Sequence, residues 1–393
     1  MNMLRSVKPD IQNYLHVCFV TETYPPEING VAMTLLRFVT GLINKGHHVS
    51  LVRPRQQTYD RPGCCVDPTV TLVTGIPIPG YKGIHLGLSS SLRLRRIWEN
   101  NRPSVIYIAT EGPLGFAALK AAKKLDIPVI SGFHTNFHTY MKHYHIGIIK
   151  SVVLGALRKF HNDTAGTLVP SPDLHHDLID KGFKNVHIVS RGVDCELFNP
   201  NRRDASIRSA WGVKDSDSVV LYVGRLAAEK NIDLFLSTYR KMKSVSNRLK
   251  AVIIGDGPLY NKLAKENPDV IFCGMQRGRK LAAYYASADI FLFPSETETF
   301  GNVVLEAMAS ELAVVAYDYA AASIHIKNQQ NGVSVPLPDV QSYIEQAISL
   351  VKEKDKINEL RKNARQHVLQ HDWINVITKF ETILRQSIGQ NVS

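Results

Sequence analysis

The chain has 393 residues, of which 44% are hydrophobic and 21% charged, and it carries a net charge of +12. That length suits two ordinary domains, and a composition without bias or internal period excludes disordered, fibrous and repeat architectures. The excess positive charge draws phosphate groups, whether on nucleotide, nucleic acid or anionic lipid.

The first fourteen residues are polar and charged, unlike a signal peptide. No apolar run of about 18 residues follows. Ile146 to Leu157 comes nearest, and Lys150 interrupts it. The five cysteines, Cys18, Cys64, Cys65, Cys195 and Cys273, are odd in number and lack CxxC spacing. That argues against zinc and for a reducing, cytoplasmic setting.

In chain order, short β-rich runs alternate with helical patterns, the mark of parallel sheets with crossover helices. Leu15–Thr21 reads as a strand, the Tyr24–Gly30 segment as a turn, and Val31–Lys45 as a helix stopped by Gly46. Val49–Val52, Val105–Ala109, Val129–Phe133 and Thr167–Val169 read as further strands. A linker is expected around Pro200–Arg203, after which the pattern restarts. Strands are expected at Val219–Val223, Ala251–Ile254, Val270–Cys273 and Ile290–Phe293, with helices at Ile232–Val245 and Val303–Ala309. The expected domains are residues 1–197 and 198–371, with a last helix within 372–393 packing back on the first. The fold class is α/β, two doubly wound Rossmann-like domains facing a central cleft.

The densest chemical signal is the run from Ser295 to Ala309, which follows a strand and opens a helix. Gly301 lets backbone approach a ligand, and free amides at a helix start bind anionic or hydroxylated groups. Glu298 precedes that helix and Glu306 lies inside it, so paired carboxylate oxygens can receive the vicinal hydroxyls of a ribose or hexose. A second strand ends at Gly224, followed by Arg225 and, just before the next helix, Lys230. Cations at the carboxyl end of a parallel strand stand where open α/β sheets bind ligands and can steady a departing diphosphate without a metal. The Tyr24–Gly30 turn is no GxGxxG fingerprint, so a nicotinamide or flavin has no support. His134 and His138 have i, i+4 spacing, yet no acid stands where the helical zinc motif needs one, and no metal is assigned. Asp215-Ser216-Asp217 lies in a polar loop and reads as surface.

On these segments the sequence resembles the retaining glycosyltransferases of family 4, which have the GT-B fold. The seven residues between Glu298 and Glu306 carry it most specifically, followed by Gly224-Arg225 with Lys230, then Gly255-Asp256-Gly257-Pro258. Phe133 to Phe137 together with Thr297 to Asn302 resembles the branch that forms glycolipids, mannosyl- and glucosyltransferases among them. The resemblance implies a metal-independent hexosyltransferase without cofactor. In it Glu298 and the amides of Phe300, Gly301 and Asn302 hold the donor hexose. Glu306 takes the ribose, and Arg225 and Lys230 the diphosphate, with Gly224 and Gly255 lining the donor site. Gly30 closes from the first domain, His134 contacts the sugar, and Met275 offers its backbone to the base. Asn136, His138 and Tyr140 are the acceptor candidates. Where family members commonly show Gly and Pro after the signature helix, Glu311 and Ala313 stand here, and the Ile324-His325-Ile326 stretch lacks the usual nearby Glu.

Guanine is best read by a carboxylate, and the loop Met275 to Lys280 has none, which favours a UDP-sugar over GDP-mannose. Two basic amphipathic segments, Leu92–Trp98 and Met141–Phe160, suggest peripheral contact with an anionic membrane, on the inner face of the cytoplasmic membrane. A non-catalytic nucleotide-sugar binder and a GT-B epimerase are the rivals. Nucleic-acid binding finds no recognition helix or aromatic-rich basic strand.

Overall fold

A computed structural model describes residues 14–27, 30–56, 68–77, 85–133, 147–214, 216–298 and 300–390. By contact the chain divides into two compact units, one running to Ser190 and resuming at Val376, the other spanning Arg191–Asn375.

In the first unit the strands are β1 His16–Val20, β2 His48–Pro54, β3 Thr69–Pro77, β4 His85–Leu88, β5 Val105–Ile108, β6 Val129–Gly132, β7 Gly166–Val169 and β8 Val186–Ile188. Its helices before Ser190 are α1 Gly30–Asn44, α2 Ser91–Asn100, α3 Pro113–Lys124, α4 Gly147–Asn162 and α5 Pro172–Asp180. The sheet runs β4-β3-β2-β1-β5-β6-β7-β8, parallel except for the β3–β4 pair. Its central strands are nearly continuous apolar runs because crossover helices cover both faces. The switch in strand order falls between β1 and β5. As expected for a helix stop, Gly46 adopts φ +88 and returns its N–H to the Ile43 carbonyl.

The second unit contains α6 Ala205–Ala210, β9 Ser218–Val223, α7 Ile232–Val245, β10 Leu249–Ile254, α8 Tyr260–Glu266, β11 Ile271–Phe272 and α9 Gly278–Ala286. It continues with β12 Ile290–Phe293, α10 Asn302–Ala309, β13 Ala313–Tyr317, α11 Ala321–His325, β14 Val333–Val335, α12 Val340–Lys352 and α13 Lys354–Leu369. Its sheet is wholly parallel in the order β11-β10-β9-β12-β13-β14, so the switch point lies between β9 and β12. Both motifs richest in chemistry leave the sheet there.

Residues 200–203 are not a free linker. Pro200–Arg202 forms a short 3₁₀ turn, and the Arg203 guanidinium bonds the Ala286 and Ala288 carbonyls and the Asp289 carboxylate. Near the unit boundary, Val193 pairs with the 371–373 stretch. Its N–H donates to the His371 carbonyl, and its carbonyl accepts from Trp373 N–H.

The last helix, α14 Trp373–Gln390, buries Phe380 in the first unit, stacked on Phe38 at 4.4 Å and edge-on to Tyr107 at 5.1 Å. The next residue, Glu381, meets Lys45 at 2.6 Å and Arg385 at 2.8 Å. Burial works to raise its carboxyl pKa, but these hydrogen bonds outweigh it and hold the value at about 2.

Glu311 follows the end of α10 at φ +63, the left-handed region that favours glycine, and Arg361 Nε donates to its carbonyl at 2.7 Å. Glu311→Gly is therefore expected to stabilise the protein by about 0.5–1 kcal/mol. The check is a higher urea midpoint at unchanged m-value.

Candidate active site

The turns after β9 and β10 are packed so closely that only glycine fits at residue 255. A Cβ on Gly255, whose φ is +147, would lie 1.8 Å from the Gly224 carbonyl oxygen. The two strand ends are then zipped by the bond from Leu226 N–H to the Asp256 carbonyl. Above them opens a cavity of about 520 Å³ lined by Gly224, Arg225, Gly255, Asp256, Met275 and Gln276, among others. Arg225 is exposed, and among the described residues no carboxylate is paired with it. Met275 is 57% exposed at the same cavity. The Asp256 carboxylate accepts from Gly257 N–H at 2.7 Å.

Lys230 closes a 3₁₀ turn, Ala228–Lys230, and Asn231 beyond it takes the left-handed conformation that starts α7. This aims the lysine across the switch point. Its Nζ lies 2.6 Å from Glu298 Oε1 and 2.8 Å from the Thr297 carbonyl oxygen. The Ser295 hydroxyl donates to the same Glu298 oxygen at 2.9 Å. Lys230 and Glu298 side chains are each 17% exposed, so the pair is sheltered yet reachable. Gly301, at φ +85, caps α10, whose first amides lack intrahelical partners by construction. A cavity of about 10 Å³, room for about one water, lies among Ser295, Glu298, Gly301 and Tyr319.

The Phe300 ring is core, 5% exposed, with the Arg191 guanidinium 5.2 Å above it, so only its backbone faces outward chemistry. Glu306 keeps a partly exposed edge, yet burial pushes its carboxyl up to about 7, against the opposing hydrogen bond from Tyr285 OH at 3.0 Å. A carboxyl raised in this way contributes stability below its unfolded value of 4.5 that is lost as pH rises through about 7. Glu306→Gln should thus melt with the wild type near pH 4 and above it at pH 8, by at most about 3 kcal/mol. Thermal melts at the two pH values decide this.

The structure thus brings together Glu298, Lys230, Ser295 and the α10 start, and separately gathers Gly224, Arg225, Gly255 and Met275 on one cavity. Gly30 is the first residue of α1, and the turn before it is tied by Glu27, which accepts from the Thr23 hydroxyl and Gln56 Nε2. His134, Asn136, His138 and Tyr140 lie outside the described residues, as does Asp215.

Two polar clusters in the first unit had escaped sequence reasoning. Glu22, just past β1, is 8% exposed, and burial lifts its carboxyl to about 7, while Leu114 N–H at the start of α3 donates to it. Glu111, past β5, meets His161 Nε2 at 3.2 Å, and His161 Nδ1 lies 2.8 Å from the Ser131 hydroxyl. The residue types imitate a hydrolytic triad. Ser131 is fully buried and is also within bonding reach of Thr164 and Thr167, so the cluster locks α4 to the sheet.

Of the amphipathic segments, α2 turns Leu94 and Trp98 into its own core and leaves Leu92 64% exposed beside Arg93 and Arg96. In α4, Leu154 and Leu157 pack inward, Val152 is 67% exposed, and Arg158 and Lys159 are exposed. Among the described residues no helix is long and apolar enough to cross a membrane.

Two Rossmann-like units, with cations and a carboxylate at a switch point, define a GT-B glycosyltransferase. The fold matches sucrose-phosphate synthase from Thermosynechococcus elongatus with a TM-score of 0.72 over 96% of this chain and 100% of that one, at 16% identity. Residues 28–197 match the profile of Glycosyltransferase Family 4, and residues 204–367 that of Glycosyl transferases group 1. A GDP-mannose-dependent alpha-mannosyltransferase of Mycobacterium tuberculosis is 30% identical over 362 residues, covering 91% of this chain and 93% of its own. The alpha-monoglucosyldiacylglycerol synthase of Streptococcus pneumoniae is 28% identical over 319 residues, 77% of this chain and 71% of its own. The chain belongs to glycosyltransferase family 4, and it is a retaining enzyme that uses a nucleotide sugar.

Proposed function

We propose that the protein transfers a hexose from a nucleoside-diphosphate hexose to a lipid-borne acceptor at a membrane surface. The observation that carries this is the Lys230–Glu298 pair, 2.6 Å apart at the β9/β12 switch point, with the cavity floored by Gly224 and Gly255 opening at the end of the same strand β9. In this reading Lys230 and the exposed Arg225 take the diphosphate, whose charge grows as the anomeric bond breaks, so no metal is needed. Glu298, steadied by Lys230 and Ser295, accepts from hexose hydroxyls together with the amides that open α10. Glu306 accepts from the ribose, and Glu306→Gln is expected to raise the donor KM about tenfold. His134 reaches the sugar, and Asn136, His138 and Tyr140 the acceptor.

For the base, GDP-mannose has two supports. Asp256 brings a carboxylate to the cavity that the 275–280 loop lacks, and relatives dependent on GDP-mannose span about nine tenths of the chain. A UDP-hexose is the second reading, favoured by that acid-free loop. A lipid acceptor is supported by the named diacylglycerol-modifying relative and by the basic, partly apolar surfaces at Leu92–Arg96 and Val152–Lys159. These surfaces suit a peripheral place on the inner face of the cytoplasmic membrane.

The experiment is incubation with labelled GDP-mannose or UDP-glucose and a bacterial lipid extract, followed by partition into organic solvent. Label in the lipid phase with an α-linked product supports the reading, and the donor that labels it fixes the base. Donor bound unchanged, or epimerised without glycoside, would hand the site to one of the rival functions. Flotation on vesicles that shows no preference for anionic lipid would remove the membrane surface from the proposal.

A further inference from the structure

Three histidines converge on the far side of Phe300. His325 ends α11, His367 lies in the last turn of α13, and His371 follows that helix. One ligand nitrogen from each falls within 4.8 Å of the other two. The ring centroids of His325 and His371 are 4.6 Å apart, those of His367 and His371 5.0 Å. His325 is fully buried, and among the described residues neither of its ring nitrogens has a hydrogen-bond partner; the same is true of His367 Nε2. Buried polar atoms are nearly always satisfied, and an orphaned pair of imidazole nitrogens beside two more imidazoles is the arrangement an ion resolves.

We infer that His325, His367 and His371 form a binding site for a divalent transition ion of the zinc class, with a fourth position left for water. Imidazole nitrogen suits zinc, cobalt, nickel and copper, whereas magnesium and calcium need oxygen ligands that the trio does not offer. Zinc–nitrogen bonds of about 2.0–2.1 Å in a tetrahedron set ligand nitrogens about 3.4 Å apart, which falls inside the 4.8 Å that bounds the trio. Lys327 is a cation near His367 that opposes the ion. Bound there, the ion ties α11 to the end of α13. Residue Ala321, at the start of α11, donates its N–H to the Phe300 carbonyl at 2.7 Å, and the Phe300 ring meets His325 edge-on at 6.2 Å. The ion therefore fixes the backbone that follows Glu298. Its role is positional, apart from the transfer chemistry.

The test uses the full chain, stripped with chelator and titrated with Co²⁺, whose visible bands report tetrahedral nitrogen coordination. One Co²⁺ per chain is expected, displaced by Zn²⁺, with affinity falling more than about tenfold in both H367Q and H371Q. Zn²⁺ should also raise the melting temperature of the wild type and leave that of the variants unmoved. Both variants alter partly exposed residues, and circular dichroism confirms that each remains folded; either one suffices. Absence of a tetrahedral spectrum with excess Co²⁺ overturns the inference. So does binding that persists unchanged in the folded variants, which would place the ion on other histidines such as those among residues 134–145.

Discussion

Lys230→Ala is expected to lower kcat/KM for the donor about 10²–10³-fold, the effect typical of removing one preorganised donor from a charged transition state. The lysine is held from two sides, by the Glu298 carboxylate at 2.6 Å and the Thr297 carbonyl at 2.8 Å, so its ammonium is placed before the donor arrives. Its loss also leaves Glu298 with Ser295 as its remaining side-chain donor among the described residues. A cycle with Glu298→Gln separates the two effects. If the lysine acts on the diphosphate alone, the two losses add; if it acts by holding Glu298, the double variant is no worse than the poorer single one. Steady-state kinetics showing less than about a threefold change in Lys230→Ala would sink its assigned role.

Phe380→Ala should cost about 3–5 kcal/mol, the largest loss of stability expected from one substitution in the first unit. The ring has no exposed surface, stacks on Phe38 and abuts Tyr107 and Phe19, so truncation opens a cavity walled by stiff aromatic groups that collapse poorly. Urea unfolding reads the result. A midpoint shift worth less than about 1 kcal/mol would mean that α14 is not anchored through this ring.

The strands that could be read from the sequence are those buried on both faces, since a continuous apolar run between turn residues needs no partner to be recognised. β12 falls where expected, at Ile290–Phe293, and β9 gains only Ser218. β3 was not foreseen because Thr69, Thr71 and Thr74 interrupt its apolar residues and, of these nine residues, only Val73 is buried. β14 is three residues long, too short to show a period. In the site, Glu298 and Lys230 were legible because each lies in the loop that follows a strand, at the same edge of one sheet. Glu22, Glu111 and His161 were not, since burial and partners 50 or 92 residues away leave no local pattern. In α2, helical spacing could place Leu94 and Trp98 on one face but could not say whether that face met lipid or protein.

The half-protonated state of Glu306 near neutrality has a thermodynamic corollary. A ribose whose hydroxyls favour the carboxylate would expel a fraction of a proton on docking, so the nucleotide's affinity would climb between pH 6 and 8. Calorimetric heats would then depend on the ionisation enthalpy of the buffer that collects that proton, and the dependence would vanish in Glu306→Gln.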